Sequence, residues 1–204
     1  MPNPIEAVVF DIGKVLVEWD LALIYRELIP DPAEREWFVS HVVTPEWHFQ
    51  HDGGRPLAEI VPERIAAWPQ HEALIRRYAS HFGDSIPGPV PGTAALVEAL
   101  DARGVPLFAI TNFGAEFWPS FAPRFPVLER FRDIVISGVE KLAKPDPAIF
   151  ALAEARFNLP GAAMLFIDDN QHNVAAARER GWHAHHFQNA AGLEAELTTR
   201  GLLG

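Results

Sequence analysis

Short apolar runs and longer segments with helical spacing divide the chain into two kinds of region. Residues 5–10 (IEAVVF) form a continuous apolar run that ends at Asp11, which is typical of a buried parallel strand. Through residues 20–83, apolar side chains recur instead at helical spacing, and no convincing strand is visible. Asp31 and Pro32 have the cap-and-proline pattern of a helix start within this segment. The pattern predicts one strand followed by a group of helices.

Strands and helices alternate after a Pro- and Gly-rich stretch at residues 84–92, which we interpret, together with residues 14–20, as a pair of hinges. The predicted strands are residues 105–110, 133–137, 163–167 and 183–187, and the predicted helices are residues 93–103, 146–157, 171–180 and 190–199. Such alternation indicates a parallel α/β sheet. We therefore predict a Rossmann-like α/β core at residues 1–17 and 88–204. A small α-helical cap domain at residues 18–87 is inserted after the first strand.

Polar residues suited to phosphoryl transfer follow the predicted strands. They are Asp11 after the first strand, Thr111 and Asn112 after the second, Asp168 and Asp169 after the fourth, and Lys144 just before the helix at 146–157. Ligands of open parallel sheets bind at these strand ends. Each residue alone is more simply explained as a turn residue, a helix cap or, for Lys144, a solvated loop lysine, but the set is not. Three carboxylates suit Mg²⁺, an aspartate can attack phosphorus, and a lysine stabilises the transferred group.

Four longer segments contain these residues: FDIGKVLVEWD, AITNFG, EKLAKPDPAIF and LFIDDNQHNVAAARERG. Their order and spacing resemble motifs one to four of the haloacid dehalogenase superfamily, and the resemblance covers essentially the whole chain. The helical segment after the first strand is similar to the small cap domain of that family. The pattern Asp-Asp-Asn-x-x-Asn and the segment NFGAEFWPSFAPRFP further resemble the branch that contains α-D-glucose-1-phosphate phosphatase.

The resemblance implies a Mg²⁺-dependent phosphatase that forms an aspartyl-phosphate and cleaves small phosphate monoesters, sugar phosphates among them. The implied catalytic residues are the nucleophile Asp11 together with Lys144, Thr111 and Asn112, the last three of which also bind the phosphate. The implied metal ligands are Asp11, the backbone carbonyl of Gly13, Asp168 and Asp169, with Asn173 in a supporting role. Of the two adjacent acids, Asp169 is the expected direct ligand.

Gly13 departs from the family pattern, since many family phosphatases have a second Asp at this position that protonates the leaving group. Three explanations remain open: an easier leaving group, as in anomeric sugar, acyl or aryl phosphates; a proton donor from the cap or from water; or weak catalysis. A 2-haloacid dehalogenase is an alternative function, because those enzymes also lack the second Asp. The acidic pair Asp168 and Asp169 opposes it, because such a pair is costly without a cation. A non-catalytic binding protein on the same scaffold is a second alternative.

The cap is expected to exclude water and select the substrate. Trp47, His48 and His51 either face the active site or, as we favour, divide into a packed tryptophan and two solvated histidines. Lys14 either lowers the pKa of Asp11 and attracts phosphate or points into solvent. Three histidines on the last strand are predicted to lie away from the motifs and are assigned no role: His183, His185 and His186.

Charge and composition narrow the partners and the compartment. With 27 acidic and 17 basic residues the net charge is -10, which disfavours nucleic acid and anionic membranes. The chain has no cysteine, so disulfides, thiolate nucleophiles and Cys-ligated zinc are excluded. The N-terminal sequence lacks signal-peptide features, and no apolar run approaches the about 20 residues of a membrane span. We predict a cytoplasmic monomer or homodimer whose partner is a small phosphorylated metabolite.

Overall fold

The computed structural model describes residues 5–204, in which five strands form one parallel sheet. The strands are β1 (Ala7–Phe10), β2 (Leu107–Thr111), β3 (Asp133–Ile136), β4 (Met164–Asp168) and β5 (His183–His186). Their order across the sheet is β3-β2-β1-β4-β5, and all four pairings are parallel. The predicted Rossmann-like α/β fold is thereby confirmed. The first four residues of the predicted core segment lie outside the described residues.

Helices occupy the segments on either side of residues 84–92. The first four α-helices are α1 (Pro32–His41), α2 (Pro45–Asp52), α3 (Leu57–Ala67) and α4 (Glu72–His81). The later ones are α5 (Thr93–Ala102), α6 (Trp118–Phe121), α7 (Ser137–Glu140), α8 (Pro147–Phe157), α9 (Gln171–Glu179) and α10 (Ala190–Thr199). Short 3₁₀ helices lie at Leu21–Tyr25, Pro69–His71, Phe82–Ser85, Ala122–Arg124, Pro126–Arg130 and Gly161–Ala163. Within residues 5–204, no helix has both the length and the apolar character needed to cross a membrane.

Two predicted strands end one residue later than their apolar runs. The predicted strand at 105–110 is β2, which ends at Thr111, and the predicted strand at 163–167 is β4, which ends at Asp168. Thr111 pairs with Ile136 and Asp168 pairs with His186, so backbone pairing continues past the last apolar side chain. Both residues are therefore the last residues of strands rather than the first residues of loops.

Both faces of the sheet are buried, as a parallel sheet requires. Along β1, Val8 and Phe10 belong to one apolar cluster, whereas Ala7 and Val9 belong to the cluster on the opposite face. The first of these clusters continues into the helical segment and includes Phe38, Trp47, Ile60, Ile75 and Tyr78. The helical segment and the sheet therefore share one hydrophobic core on that side.

The two predicted hinges run side by side. Val17 and Pro89 form an isolated antiparallel bridge, and the backbone N–H of Val90 donates to the carbonyl of Leu16 at 2.9 Å. The chain thus enters and leaves the helical segment at one place. The domain boundaries themselves stay a prediction.

Candidate active site

Three carboxylates meet at the carboxyl edge of the sheet. Asp11 directly follows β1, and its backbone N–H donates to the carbonyl of Ile167 in β4 at 2.8 Å. This pairing brings the end of β1 beside Asp168, the last residue of β4, and beside the following Asp169. One carboxylate oxygen from each of the three acids lies within 4.8 Å of the other two.

Lys144 is buried between two of these acids. Its Nζ lies 2.9 Å from Oδ1 of Asp11 and 2.7 Å from Oδ2 of Asp168, and its side chain is 1% exposed. Burial alone would lower the pKa of Lys144, but the two carboxylates outweigh it and raise this pKa, so the lysine stays charged. Asn112 fixes the lysine backbone, because its side-chain Nδ2 donates to the Lys144 carbonyl and its Oδ1 accepts from the Lys144 N–H, both at 2.9 Å.

The two adjacent acids have different surroundings. Asp168 is fully buried, and it accepts from Lys144, from the Asn170 backbone N–H and from Nδ2 of Asn173. Asp169 is half-buried and lines the cavity beside Asp11. Asp168 therefore anchors the lysine, whereas Asp169 has the more accessible carboxylate.

The three carboxylates at this edge carry more negative charge than Lys144 balances, and a cation would offset the remainder. Burial chiefly, and then Asp168 and Asp169, raise the pKa of Asp11 to about 7, against the lowering influence of Lys144. Burial and the neighbouring Asp168 also raise the pKa of Asp169. Because one lysine balances only one of three clustered carboxylates, a hard divalent cation with oxygen ligands suits this donor set.

The geometry leaves one oxygen of Asp11 free to react. Among the described residues, the hydrogen bond from the Ile12 backbone N–H at 2.7 Å and the ion pair with Lys144 at 2.9 Å both end on Oδ1. Gly13 lies two residues after Asp11, and a Cβ atom at this position would have no neighbouring atom within 4 Å. Lys14 is exposed at the cavity mouth, with its Nζ 5.4 Å from the ring centre of Trp19. Lys14 therefore lines the cavity and is also exposed to solvent.

A cavity of about 430 Å³ extends from these groups toward the helical segment. We call the sequence-predicted residues of its lining the floor; they are Asp11, Gly13, Asn112, Lys144, Asp169 and Asn173. We call the apolar residues of its lining the wall; they are Val17, Trp19, Pro45, Phe49, Phe82, Ile86 and Phe113. Thr111 is buried at the end of β2 and, like Asp168, is not among the residues that line the cavity.

The expectation that the cap histidines are solvated was wrong, because both are buried. His48 lines the cavity, with Nδ1 2.7 Å from the hydroxyl of Tyr78 and Nε2 3.2 Å from Oδ2 of Asp52. His51 packs over Gly114, where an added Cβ would fall 2.1 Å from the His51 ring. Trp47 is packed in the core, as favoured.

Sequence reasoning missed two residues at this site. Asp52 lines the cavity and is paired with His48; their i, i+4 spacing on α2 was the available signal. His186 was predicted to lie away from the motifs, but its Nε2 is 2.8 Å from the backbone carbonyl of Asp169. The parallel pairing of β4 with β5 places it there.

Known proteins are similar to this chain over much of its length. Acyl-CoA dehydrogenase family member 10 of Mus musculus is 27% identical over 87% of this chain and 17% of its own length. A phosphoglycolate phosphatase of Photobacterium profundum is 26% identical over 64% of this chain and 58% of its own length. The chain therefore spans less than two thirds of either relative.

Solved structures share the fold at low identity. A haloacid dehalogenase-family enzyme of Bacteroides thetaiotaomicron, in complex with magnesium and inorganic phosphate, has a TM-score of 0.68 and 19% identity, covering 91% of this chain and 95% of its own. L-2-haloacid dehalogenase of Xanthobacter autotrophicus has a TM-score of 0.62 and 16% identity, covering 98% and 85%. At these identities the likeness shows the fold alone. The sequence profile of the haloacid dehalogenase-like hydrolases matches residues 5–181, and this chain therefore belongs to that family of hydrolases.

Proposed function

We propose that this hydrolase is a Mg²⁺-dependent phosphatase that cleaves small phosphate monoesters through an aspartyl-phosphate on Asp11. The observation that carries the proposal is the cluster of three carboxylates with a single buried lysine. A site of this kind favours a divalent cation and, with it, a substrate bearing several negatively charged oxygens.

The chemistry is a double displacement at phosphorus. Oδ2 of Asp11 attacks the phosphorus atom, the bond from phosphorus to the ester oxygen breaks, and the alkoxide or aryloxide leaves and takes a proton from water. Water then attacks the phosphorus of the aspartyl-phosphate and loses a proton to solvent, and the bond from phosphorus to Asp11 breaks. Inorganic phosphate leaves, and the carboxylate is regenerated.

Other residues of the chain bind and orient the phosphoryl group in this proposal. Lys144 holds Asp11 in place and offsets the repulsion between its carboxylate and the phosphate, while Asn112 holds Lys144. Thr111 and Asn112 are proposed to bind phosphoryl oxygens at the end of β2. A bound Mg²⁺ would neutralise charge on the phosphoryl oxygens. The proposed ligands are Asp11, the Gly13 carbonyl, Asp168 and Asp169, supported by Asn173, with Asp169 as the more accessible of the two adjacent acids.

Two comparisons bear on the choice between phosphorus and carbon as the atom attacked. The name of the Photobacterium relative supports a phosphatase, whereas the Xanthobacter structure keeps a 2-haloacid dehalogenase as the second candidate. Gly13 is compatible with either candidate, because halide leaves carbon without protonation and a phosphate ester with an easy leaving group needs no proton donor. The accessible Asp169 beside Asp11 favours the phosphatase, because a carbon-centred displacement has no use for a cation-binding acid. The partner is then a small phosphorylated metabolite; a cytoplasmic location and a monomeric or homodimeric state stay predictions.

Product release separates the candidates directly. Phosphate release is measured from 4-nitrophenyl phosphate and from a panel of sugar phosphates, with Mg²⁺ and with EDTA, beside chloride release from L-2-chloropropionate. We expect phosphate release that EDTA abolishes. Chloride release that EDTA leaves unchanged would instead make the chain a dehalogenase, and no product from either class would favour a binding protein.

A substitution at the nucleophile identifies the reacting group. Asp11→Asn should lower kcat by on the order of 10⁴-fold, because an amide oxygen is a poor nucleophile toward phosphorus. Asp101→Asn is the matched control, since Asp101 is half-exposed, forms an ion pair with Arg130, and does not line the cavity. Equal activities of the two variants would remove Asp11 from the mechanism.

A further inference from the structure

We propose that the substrate is an aryl phosphate, the phosphate ester of a phenol, with its ring against the apolar wall and its phosphoryl group on the floor. The inference rests on the proposed phosphatase function and names the substrate class of the same site. Three features of the cavity carry it: the composition of the wall, the small number of free polar groups in it, and the empty space at Gly13.

Aromatic side chains from separated segments make up most of the wall. Trp19 follows the first strand, Phe49 lies on α2, Phe82 begins the 3₁₀ helix after α4, and Phe113 follows β2. Phe49 is 43% exposed although it is a large apolar side chain beside a cavity. An exposed aromatic that lines a concave site has apolar surface left for a ligand to cover, and an aromatic ring covers it best.

Few polar atoms on this side are available to a substrate. Both ring nitrogens of His48 are already engaged, by Tyr78 and by Asp52. Asp52 is 5% exposed, and its Oδ1 has no hydrogen-bond partner among the described residues. That oxygen has almost no accessible surface, so it too is unavailable to a substrate. A hexose phosphate would therefore bury several hydroxyls against the wall without partners, each of which weakens binding about fivefold or more.

The missing side chain at Gly13 favours a substrate whose leaving group departs without being protonated. No side chain stands there to protonate the ester oxygen, and Lys14 and His172, which also line the cavity, are exposed. A phenol has a pKa of about 10, so its oxide leaves as an anion and takes its proton from water afterwards. An alkyl alcohol, with a pKa close to the value of about 15.7 for water, leaves poorly without a proton donor.

Two measurements on the full chain with Mg²⁺ test the substrate class. The first compares kcat/KM for phenyl and 1-naphthyl phosphate with that for glucose 1-phosphate and glucose 6-phosphate; we expect the aryl esters to exceed both sugars by about 100-fold or more. The second measures by calorimetry the binding of benzylphosphonate and of methylphosphonate, which share the phosphoryl group but not the ring and are not hydrolysed. We expect the benzyl compound to bind more tightly.

Variants locate the ring. Phe49→Ala should weaken benzylphosphonate binding about threefold to tenfold and leave methylphosphonate binding unchanged. Trp37→Ala is the matched control, because Trp37 is also a 43% exposed aromatic of the helical segment but does not line the cavity. Equal binding of the two phosphonates, or a higher kcat/KM for either sugar phosphate, would overturn the aryl assignment while leaving the phosphatase in place. Failure of the chain to hydrolyse any phosphate ester would instead remove the proposed function itself.

Discussion

The floor of the cavity is held by charged contacts, whereas the wall consists of apolar side chains. On the floor, charged groups at the ends of β1 and β4 are held by short bonds, such as the two contacts of Lys144 at 2.9 and 2.7 Å. In the wall, apolar side chains from several segments contribute shape and surface, and Phe49 is partly exposed. The sheet edge thus holds the charged groups, while the wall is assembled from several segments, most of them outside the sheet. One fold can therefore keep its chemistry and change its substrate.

The largest effect should follow removal of the charge that holds the floor together. Lys144→Met leaves Asp11 and Asp168 buried without their cation, so at pH 8 we expect turnover to disappear and the free energy of unfolding to fall by about 3–5 kcal/mol. The loss should shrink at pH 5, where the carboxyls can take up protons instead. Urea unfolding at both pH values measures it.

Lys141→Met is the control for this variant. Lys141 lies three residues earlier and is exposed, so its replacement should change stability by no more than about 0.5 kcal/mol. Equal losses for the two lysines would show that the buried charge is not what balances the two acids.

Sequence alone was sufficient for most of the floor, because its residues come directly after apolar runs that any parallel sheet would align. It was not sufficient for the ends of those runs. Thr111 and Asp168 were expected in loops, but strand pairing with Ile136 and His186 continues to them. Whether a strand continues to the polar residue after its apolar run depends on pairing with a neighbouring strand. The hydrophobicity of the segment itself does not show that pairing.

The helix α2 illustrates the same limit more strongly. His48 and His51 were expected in solvent, because polar residue types in a short helix usually are. His48 is buried because Tyr78, 30 residues later, supplies a hydrogen-bond partner, and His51 because Gly114 leaves room for its ring. These partners come from distant segments, so only the tertiary structure reveals that both histidines are buried.

An intermediate effect is expected from placing an acid on the floor. Gly13→Asp adds a carboxyl beside Asp11 at a position where a Cβ meets no neighbour. If the native site lacks a proton donor, this variant should raise kcat/KM for alkyl phosphates on the order of 100-fold and flatten the dependence of rate on leaving-group pKa. A series of substituted phenyl and alkyl phosphates measures that slope.

Gly13→Asn is the isosteric control, because an amide fills the same space and donates no proton at the pH of the assay. It should keep the steep slope of the native protein. A flat slope in the native protein would show that some other group already protonates the leaving oxygen.

The smallest effect concerns the cation and the pH dependence of stability. The pKa of Asp11 is about 7 in the folded chain, against an ordinary value of 3.8, so the folded state retains a proton that the unfolded state releases. Stability from this group is therefore full below about pH 4 and is lost as the pH rises to about 7. The raised pKa of Asp169 acts in the same direction. The proposed Mg²⁺ would bind the deprotonated carboxylates, so it should stabilise the fold more at pH 8 than at pH 5.5.

Thermal unfolding at these two pH values, with and without Mg²⁺, measures both effects, at about 2–4 °C in Tm for each kcal/mol in a chain of this size. Many other groups titrate over the same range, so the informative quantity is the difference between the native chain and Asp11→Asn, which has no proton to release at this position. Without Mg²⁺, Tm should fall from pH 5.5 to pH 8 more in the native chain than in Asp11→Asn. Identical pH slopes would show that Asp11 is already ionised at pH 5.5, in which case Lys144 rather than burial dominates its pKa, and the floor would need no cation to hold its charge.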